Sequence, residues 1–285
     1  MSEHAFAWLR DKAIGWSHTP PVNKIDTHHH CVPPFYAKAV EDQGGNPSGW
    51  SGCPTPHWSP LASKLLMKRV GVQTAVLSVT APGACILPDR QGLDNLNADG
   101  VTLFTRYGSS NTYLGHPDVE PIWAELNRRG CVVFIHPTHP VDTNPVNPKL
   151  PQPAYPACRV ILSHAGGALP YITSRVTTPM KKAPDFAVSR RMGTTHDKAM
   201  DAFRSFYFDL ALSSSPQVLD MLLKLVPHDR ILYGSDFPYA PITAYATFLG
   251  DLENYEMDPE LRNMINYGNA LKLFPRLASR KGGGL

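Results

Sequence analysis

Short runs of apolar residues alternate along the chain with stretches of helical periodicity. The apolar runs are six to eight residues long and rich in Val, Ile, Leu and Phe, and Gly or Pro bounds several of them. Such runs predict buried strands, whereas apolar residues three and four positions apart predict helices. We predict seven strands, at residues 22–28, 72–79, 100–105, 131–136, 159–164, 206–212 and 230–236.

The stretches between these strands have the periodicity and the boundary residues of helices. Pro60 at the first position and Gly71 just beyond the last are typical boundaries of one such helix. Residues 31–59 are rich in Gly, Pro, Ser and Trp, so we expect a long loop there that shapes a binding site. Helices are predicted at residues 60–70, 117–129, 168–178, 195–205 and 215–226, with further helices over 241–277.

The alternation of strands and helices predicts a parallel sheet that is covered on both faces. An open doubly wound sheet and a (β/α)8 barrel both fit this pattern. A Gly-rich phosphate-binding turn, typical of nucleotide-binding sheets, does not occur in the sequence. Four strands end in a potential metal ligand, and functional groups at several strand ends are typical of a barrel. We therefore predict a TIM-type (β/α)8 barrel, as a single domain over 1–285 with its core at about 22–277.

This barrel is predicted to be incomplete. Seven parallel strands are found where a complete barrel has eight. Residues 80–99 have room for one short helix and no strand. Residues 137–156 contain seven prolines, which exclude a helix that covers the sheet.

Composition and charge exclude several classes of partner. The formal net charge is +3 and the sequence has no long basic run, which argues against nucleic acid and against an anionic membrane surface. The first ten residues are charged and lack an apolar core, so we expect no signal peptide, and no apolar window is long enough for a membrane span. Five cysteines at irregular spacing predict free thiols in a reducing compartment, and hence a cytoplasmic protein.

Candidate chemistry lies at the strand ends. Three consecutive histidines end the first strand, and the alternation of side chains places His28 and His30 on one side and His29 on the other. Three later strands end in His136, His164 and Asp236. A single histidine at a strand end is more often an ordinary hydrogen-bonded residue, and a single aspartate is often a helix cap or turn former. Their joint occurrence predicts a site for Zn²⁺ or a similar divalent ion such as Mn²⁺.

The segments around these residues resemble the amidohydrolase superfamily. Within it, the chain is similar to the metal-dependent decarboxylase branch that includes aminocarboxymuconate-semialdehyde decarboxylase, and most of all to the 6-methylsalicylate decarboxylases of fungal polyketide pathways. The resemblance extends from about residue 22 to 277. The matching motifs are IDTHHH at 25–30, FIHP at 134–137, ILSHAGG at 161–167 with LPY at 169–171, and YGSDFP at 233–238.

The resemblance implies a role for each candidate residue. The implied metal ligands are His28, His30, His136 and Asp236. Asp236 is either the further ligand or the acid beside the metal, and His164 lies over the open metal position as a proton shuttle or polarising group. Arg175 meets the substrate carboxylate and in relatives reaches a neighbouring subunit, which implies a homodimer. The alternative for Arg175 is an ordinary solvated charge on a helix.

The activity implied is non-oxidative decarboxylation of a 2-hydroxybenzoate such as 6-methylsalicylate, in secondary metabolism. The substrate is a small aromatic carboxylic acid, CO₂ is released, Asp236 donates the proton, and Trp50 and Trp58 seat the ring. One alternative is a metal-dependent hydrolase of a lactone or amide. Residues 101–106 contain no lysine, which favours a single-metal site and the decarboxylase branch.

A second alternative is an inactive, shortened family member. Family members carry a further strand and helix between the positions of Gln91 and Gly92, and a helix near residues 153–157. Both elements are absent at the two places where the predicted barrel lacks parts.

Overall fold

A computed structural model describes residues 21–42, 56–80, 83, 98–107, 112–137, 158–182 and 194–280. Within these ranges most strands lie where apolar runs predict them. The strands are β1 (Lys24–Cys31), β2 (Val72–Val79), β3 (Gly100–Phe104), β4 (Arg106–Tyr107), β5 (Thr112–Tyr113), β6 (Val132–His136), β7 (Arg159–Leu162), β8 (Tyr207–Asp209) and β9 (Ile231–Leu232).

Seven of the strands are parallel and form the barrel wall, and β4 and β5 form a separate antiparallel hairpin. β1 pairs with β2, and the other five follow the order β3-β6-β7-β8-β9. Beyond β9 the chain continues alongside β1. There the backbone N–H of Thr27 donates to Tyr233 O at 3.0 Å, and the N–H of His30 donates to Phe237 O at 2.7 Å. These bonds join the two sheets into one curved wall.

The wall is open between β2 and β3, where no strand pairing is found among the described residues. A cavity of about 380 Å³ lies in this opening, lined by residues of β2, β3 and the barrel interior. The prediction of an incomplete barrel with seven parallel strands is therefore confirmed. The expectation that residues 72–79 form a buried strand is wrong: among the described residues β2 pairs with β1 alone, and its other edge has no partner strand. Leu77 and Val79 are 55% and 42% exposed.

The helices cover the outside of the wall. α2 has the boundaries expected from Pro60 and Gly71: the Ser59 side chain accepts a hydrogen bond from the Ala62 N–H, and Gly71 has a φ of 74°. The helices are α1 (Pro34–Asp42), α2 (Pro60–Val70), α3 (Glu120–Arg128), α4 (Leu169–Lys182), α5 (His196–Ser205), α6 (Pro216–Leu225), α7 (Ile242–Asn254), α8 (Pro259–Asn263) and α9 (Asn269–Leu273). None of the described helices is long and apolar enough to cross a membrane.

The expected loop at residues 31–59 contains a helix in its first part. α1 follows the turn at Pro33, and it buries Tyr36 and Val40, which lie four residues apart on one face. Residues 43–55, including Trp50, lie outside the described residues. So do residues 84–97 and 138–157, where the sequence predicts missing elements.

Alternating side chains of the strands divide the core into an inner and an outer layer. On β6, Val132 and Phe134 pack inside the barrel against Ile161 of β7. Val133, between them, packs outward with Trp123 of α3. The same alternation directs His136, at the C-terminal end of β6, into the barrel.

Candidate metal centre

His28 and His30 lie side by side at the C-terminal end of β1. Their Nε2 atoms are 3.1 Å apart, and both side chains are buried. His29 faces the opposite way, as expected from the alternation. Its Nδ1 is 2.9 Å from Asp26 Oδ2 and its Nε2 is 2.7 Å from Ser63 Oγ on α2. Both nitrogens of His29 are thus engaged away from the other two rings.

His136 and Asp236 complete a cluster with this pair. One ligand atom from each of the four residues lies within 4.8 Å of every other. Asp236 Oδ1 is 3.1 Å from His28 Nε2 and 3.3 Å from His30 Nε2. The ring of His136 is centred 4.7 Å from that of His30. The structure therefore brings together all four residues that the resemblance implies as metal ligands.

The donor atoms of this cluster fit a divalent cation. Nδ1–H of His28 donates to Asp209 Oδ1 at 3.1 Å, and Nδ1–H of His136 donates to Pro137 O at 2.9 Å. These acceptors hold a proton on Nδ1 of each ring, so Nε2 is the ring nitrogen that can bind a metal. Nε2 of His136 is buried and has no hydrogen-bond partner among the described residues, and Oδ1 of Asp236 faces Nε2 of both His28 and His30. Three imidazoles and one carboxylate are ligands that Zn²⁺ and similar ions accept.

The same proximity shifts the pKa values of the cluster. Burial lowers the pKa of His28, but the carboxylates of Asp209 and Asp236 outweigh it and raise this pKa to about 10. Burial and the neighbouring rings of His30 and His28 lower the pKa of His136 to about 2. Burial acts to raise the pKa of Asp236, yet the two histidines hold it well below its usual value. The metal-free cluster thus combines an ionised carboxylate and two neutral rings with a protonated His28, which must give up a proton before its Nε2 can bind a cation.

His164 lies beside the cluster, at the turn between β7 and α4. Its ring is centred 4.8 Å from that of His28 and 5.9 Å from that of His136. Nδ1–H of His164 donates to Ala211 O at 3.0 Å, so Nε2 is the ring nitrogen that this hydrogen bond does not use. The residue has a φ of 53°, in the left-handed region that is unfavourable for a histidine. Its place is therefore held by the surrounding contacts.

Among the described residues, no contact links Arg175 or Trp58 to the cluster. Arg175 lies on the exposed side of α4, without a hydrogen bond or ion pair in the described part of the chain. Trp58 is half-buried and packs against the apolar layer beneath α2. Their roles toward the substrate stay predictions.

Two residues near the cluster were not found from the sequence. Asp209 is completely buried and contacts His28, although it lies in an otherwise apolar run at 206–212. A single acidic residue within a buried strand is the signal that could have indicated it. Tyr239 packs its ring 5.0 Å from that of His30 and bonds through its hydroxyl to Thr80 Oγ1. Its position just after the YGSDFP motif at 233–238 was the available indication.

Fold and cluster together define a metal-dependent barrel protein, and comparison with known proteins gives its family. The chain matches the amidohydrolase family over residues 89–276 and belongs to that family. It is 38% identical over 321 residues to the 6-methylsalicylic acid decarboxylase of Penicillium expansum, which covers 89% of this chain and 97% of that protein. The aligned length exceeds the 285 residues of this chain. The relative therefore contains stretches without a counterpart here.

Solved structures show the same fold. A crystal structure of an amidohydrolase II has a TM-score of 0.71 and 25% identity, covering 88% of this chain and 99% of that chain. The dihydroxybenzoic acid decarboxylase of a Polaromonas species, solved with bound manganese and the inhibitor 2-nitroresorcinol, has a TM-score of 0.64 and 18% identity. That match covers 89% of this chain and 97% of that one.

Proposed function

We propose that this chain catalyses the metal-dependent, non-oxidative decarboxylation of a 2-hydroxybenzoate such as 6-methylsalicylate. The observation that carries the proposal is the buried cluster of three imidazoles and one carboxylate at the strand ends, with ligand atoms within 4.8 Å of one another. It occurs in a chain that is 38% identical to a 6-methylsalicylic acid decarboxylase over nearly its whole length.

The residues that would hold the metal are His28, His30, His136 and Asp236. When bound, a divalent ion supplies positive charge that orients neighbouring oxygens and stabilises negative charge as it develops. Zn²⁺ and Mn²⁺ are both compatible with these donors. The Polaromonas decarboxylase contains manganese, which makes Mn²⁺ the first ion to test.

The chain's own residues would handle the proton. In decarboxylation, the ring carbon that carries the carboxylate gains a proton, the carbon–carboxylate bond breaks, and CO₂ leaves as the ring regains aromaticity. Asp236 is the proposed donor to that carbon, through a carboxyl oxygen. Because His28 and His30 hold the pKa of Asp236 low, this carboxyl must take up a proton in each turnover before it can give one. His164 is the proposed shuttle for this proton, because its hydrogen bond to Ala211 O uses Nδ1 and not Nε2.

The remaining roles complete this proposal. Arg175 is exposed, so it would meet the substrate carboxylate by reaching the site of a second copy in a homodimer.

A cytoplasmic location is supported by the three described cysteines, Cys31, Cys131 and Cys158, which are all free thiols.

A second candidate is an inactive, shortened member of the family. The observation in its favour is the opening between β2 and β3, which exposes the barrel interior beside strand β1. Ser78 of β2 lies with its Oγ 3.3 Å from Nδ1 of His30. A wall that is open beside β2 would hold this strand, and with it the contact to His30, less firmly.

The test is an assay of CO₂ release from 6-methylsalicylate by the Mn²⁺-loaded wild type and by Asp236→Asn. We expect release by the wild type and a loss of at least about 100-fold in the variant, because a general acid is worth about 10²–10⁴-fold. Equal rates would remove Asp236 from the acid role. Lactone cleavage without CO₂ release would favour a hydrolase, and a folded, metal-loaded chain with neither activity would favour the inactive member.

A further inference from the structure

Asp209 accepts three hydrogen bonds at a single oxygen. It lies at the C-terminal end of β8 and is completely buried. Its Oδ1 accepts from Nδ1–H of His28 at 3.1 Å, from the backbone N–H of His164 at 3.2 Å and from the backbone N–H of Ala211 at 3.0 Å. One carboxylate oxygen thus connects a metal-cluster histidine with the neighbouring histidine that lies outside the cluster.

The other oxygen of Asp209 gives a second argument that the residue has a functional role. Oδ2 is buried and has no hydrogen-bond partner among the described residues. A buried carboxylate with an unpaired oxygen is unfavourable, and an apolar residue would suit this strand better. Proteins retain such unfavourable groups mainly at functional sites.

The neighbouring chain is shaped to permit this contact. A Cβ at Gly234 would lie 2.8 Å from His28 Cβ and 3.1 Å from Asp209 Oδ1. Any side chain at position 234 would therefore push His28 and Asp209 apart. The glycine allows the segment that follows β9, residues 233–237, to pass close to both residues.

We propose that Asp209 is a positioning residue for two histidines of the metal centre; this inference rests on the proposed function. Its Oδ1 holds the proton of His28 on Nδ1, so that Nε2 faces the cluster. It also holds the backbone of His164, whose φ of 53° needs support. Ala211 strengthens the second contact, because its carbonyl accepts the Nδ1–H of His164 at 3.0 Å. Asp209 thereby fixes the distance between a metal ligand and the shuttle.

Asp26 provides a matched control. It is also a buried aspartate next to the cluster, 1% exposed, and its Oδ2 is 2.9 Å from Nδ1 of His29. His29, however, faces α2 and takes no part in the cluster. Oδ1 of Asp26 accepts the backbone N–H groups of His28 and Ser235 at 3.1 and 3.0 Å, and the amide oxygen of an asparagine can accept both. Asp26→Asn and Asp209→Asn thus remove the same charge from similar surroundings, but only the second removes it from the side chain of a metal-cluster histidine.

The first experiment is calorimetric titration of the wild type and both variants with Mn²⁺. Removal of a carboxylate that orients a metal-bound histidine weakens metal binding by about 10–100-fold, and we expect this for Asp209→Asn. We expect the Kd of Asp26→Asn to stay within about threefold of the wild type, because His29 is not a ligand. Wild-type affinity in Asp209→Asn, or equal weakening in both variants, would overturn the inference. A wild type that binds neither Mn²⁺ nor Zn²⁺ would overturn the proposed function as well.

The second experiment separates positioning from general support of the fold. In the Zn²⁺-loaded wild type, ¹⁵N-resolved NMR should show an Nδ1–H proton of His28 that is protected from exchange with water. We expect this protection to be lost in Asp209→Ala, which removes the oxygen that accepts the Nδ1–H, and retained in Asp26→Asn. An unprotected His28 proton in the wild type would contradict the inference even if Asp209→Ala failed to fold.

Discussion

Gly234 is the position where a single methyl group should disturb the metal centre most directly. A Cβ there would lie 2.8 Å from His28 Cβ and 3.2 Å from Ala211 Cβ. Carbon atoms in contact prefer about 3.5–4.0 Å, so Gly234→Ala must move His28 or the segment that follows β9 by roughly 0.7–1.2 Å. Functional sites tolerate only about 0.5 Å. The methyl group should therefore displace one ligand from its partners.

We expect two measurable effects in Gly234→Ala. Calorimetric titration with Mn²⁺ should show binding weakened by at least about tenfold, because a displacement of His28 by about 1 Å takes its ring out of position relative to the other metal ligands. Urea unfolding of the metal-free variant should show a loss of about 1–3 kcal/mol in the free energy of unfolding, the usual cost of overpacking. Both effects come from the same contact with His28.

Gly250, on α7, provides the control. A Cβ at Gly250 would meet nothing within 4 Å, so only the helical preference of alanine remains. Gly250→Ala should raise the free energy of unfolding by about 0.5–1 kcal/mol and leave Mn²⁺ binding unchanged. Gly234→Ala with wild-type affinity and stability would refute the close packing of His28 against the segment that follows β9.

Three further predictions concern pH, helix capping and the open edge of the wall. In the metal-free protein, His28 keeps its proton up to about pH 10, and a metal binds only the neutral ring. Each ion bound therefore displaces a proton from His28. In calorimetric titrations the Kd for Mn²⁺ should rise about tenfold per pH unit as the pH falls from 9 to 6. A Kd that does not change with pH would contradict this prediction. Ser59→Ala removes the bond to the Ala62 N–H and should cost about 1 kcal/mol in urea unfolding, whereas Ser59→Thr should cost much less. The side chain of Leu77 on β2 is 55% exposed. Leu77→Lys should therefore reduce association between copies of the chain, measured by light scattering, and change the free energy of unfolding by less than about 0.5 kcal/mol. A larger loss of stability would mean that Leu77 is covered.

Local rules were sufficient for the features of the fold that depend on neighbours in sequence. The period of two along a strand predicts that His28 and His30 share a side and that His29 does not. Pro60 and Gly71 define α2 because their backbone preferences act at one residue each. The meeting of His136, His164 and Asp236 with this pair could also be anticipated, because the C-terminal ends of parallel strands converge at one end of a barrel.

Features that depend on tertiary neighbours could not be obtained in this way. The exposure of Leu77 was not found from the apolar run at 72–79, because burial there depends on which strands pair with β2. Asp209 gains its importance from His28, a residue 181 positions away in sequence. α1 was obscured because the Pro and Gly content of residues 31–59 as a whole outweighed the local spacing of Tyr36 and Val40. The roles of Arg175 and Trp58, and the assignment of the whole chain to one domain, stay predictions.

The most direct test of the central claim is the metal dependence of CO₂ release from carboxyl-labelled 6-methylsalicylate. The purified chain is stripped of metal by a chelator, assayed, reloaded with Mn²⁺ or Zn²⁺ and assayed again, with His136→Ala treated in parallel. We predict labelled CO₂ only from the reloaded wild type, with 3-methylphenol as the other product. Release that is equally fast without metal, or from His136→Ala, would contradict a decarboxylase centred on the four-residue cluster.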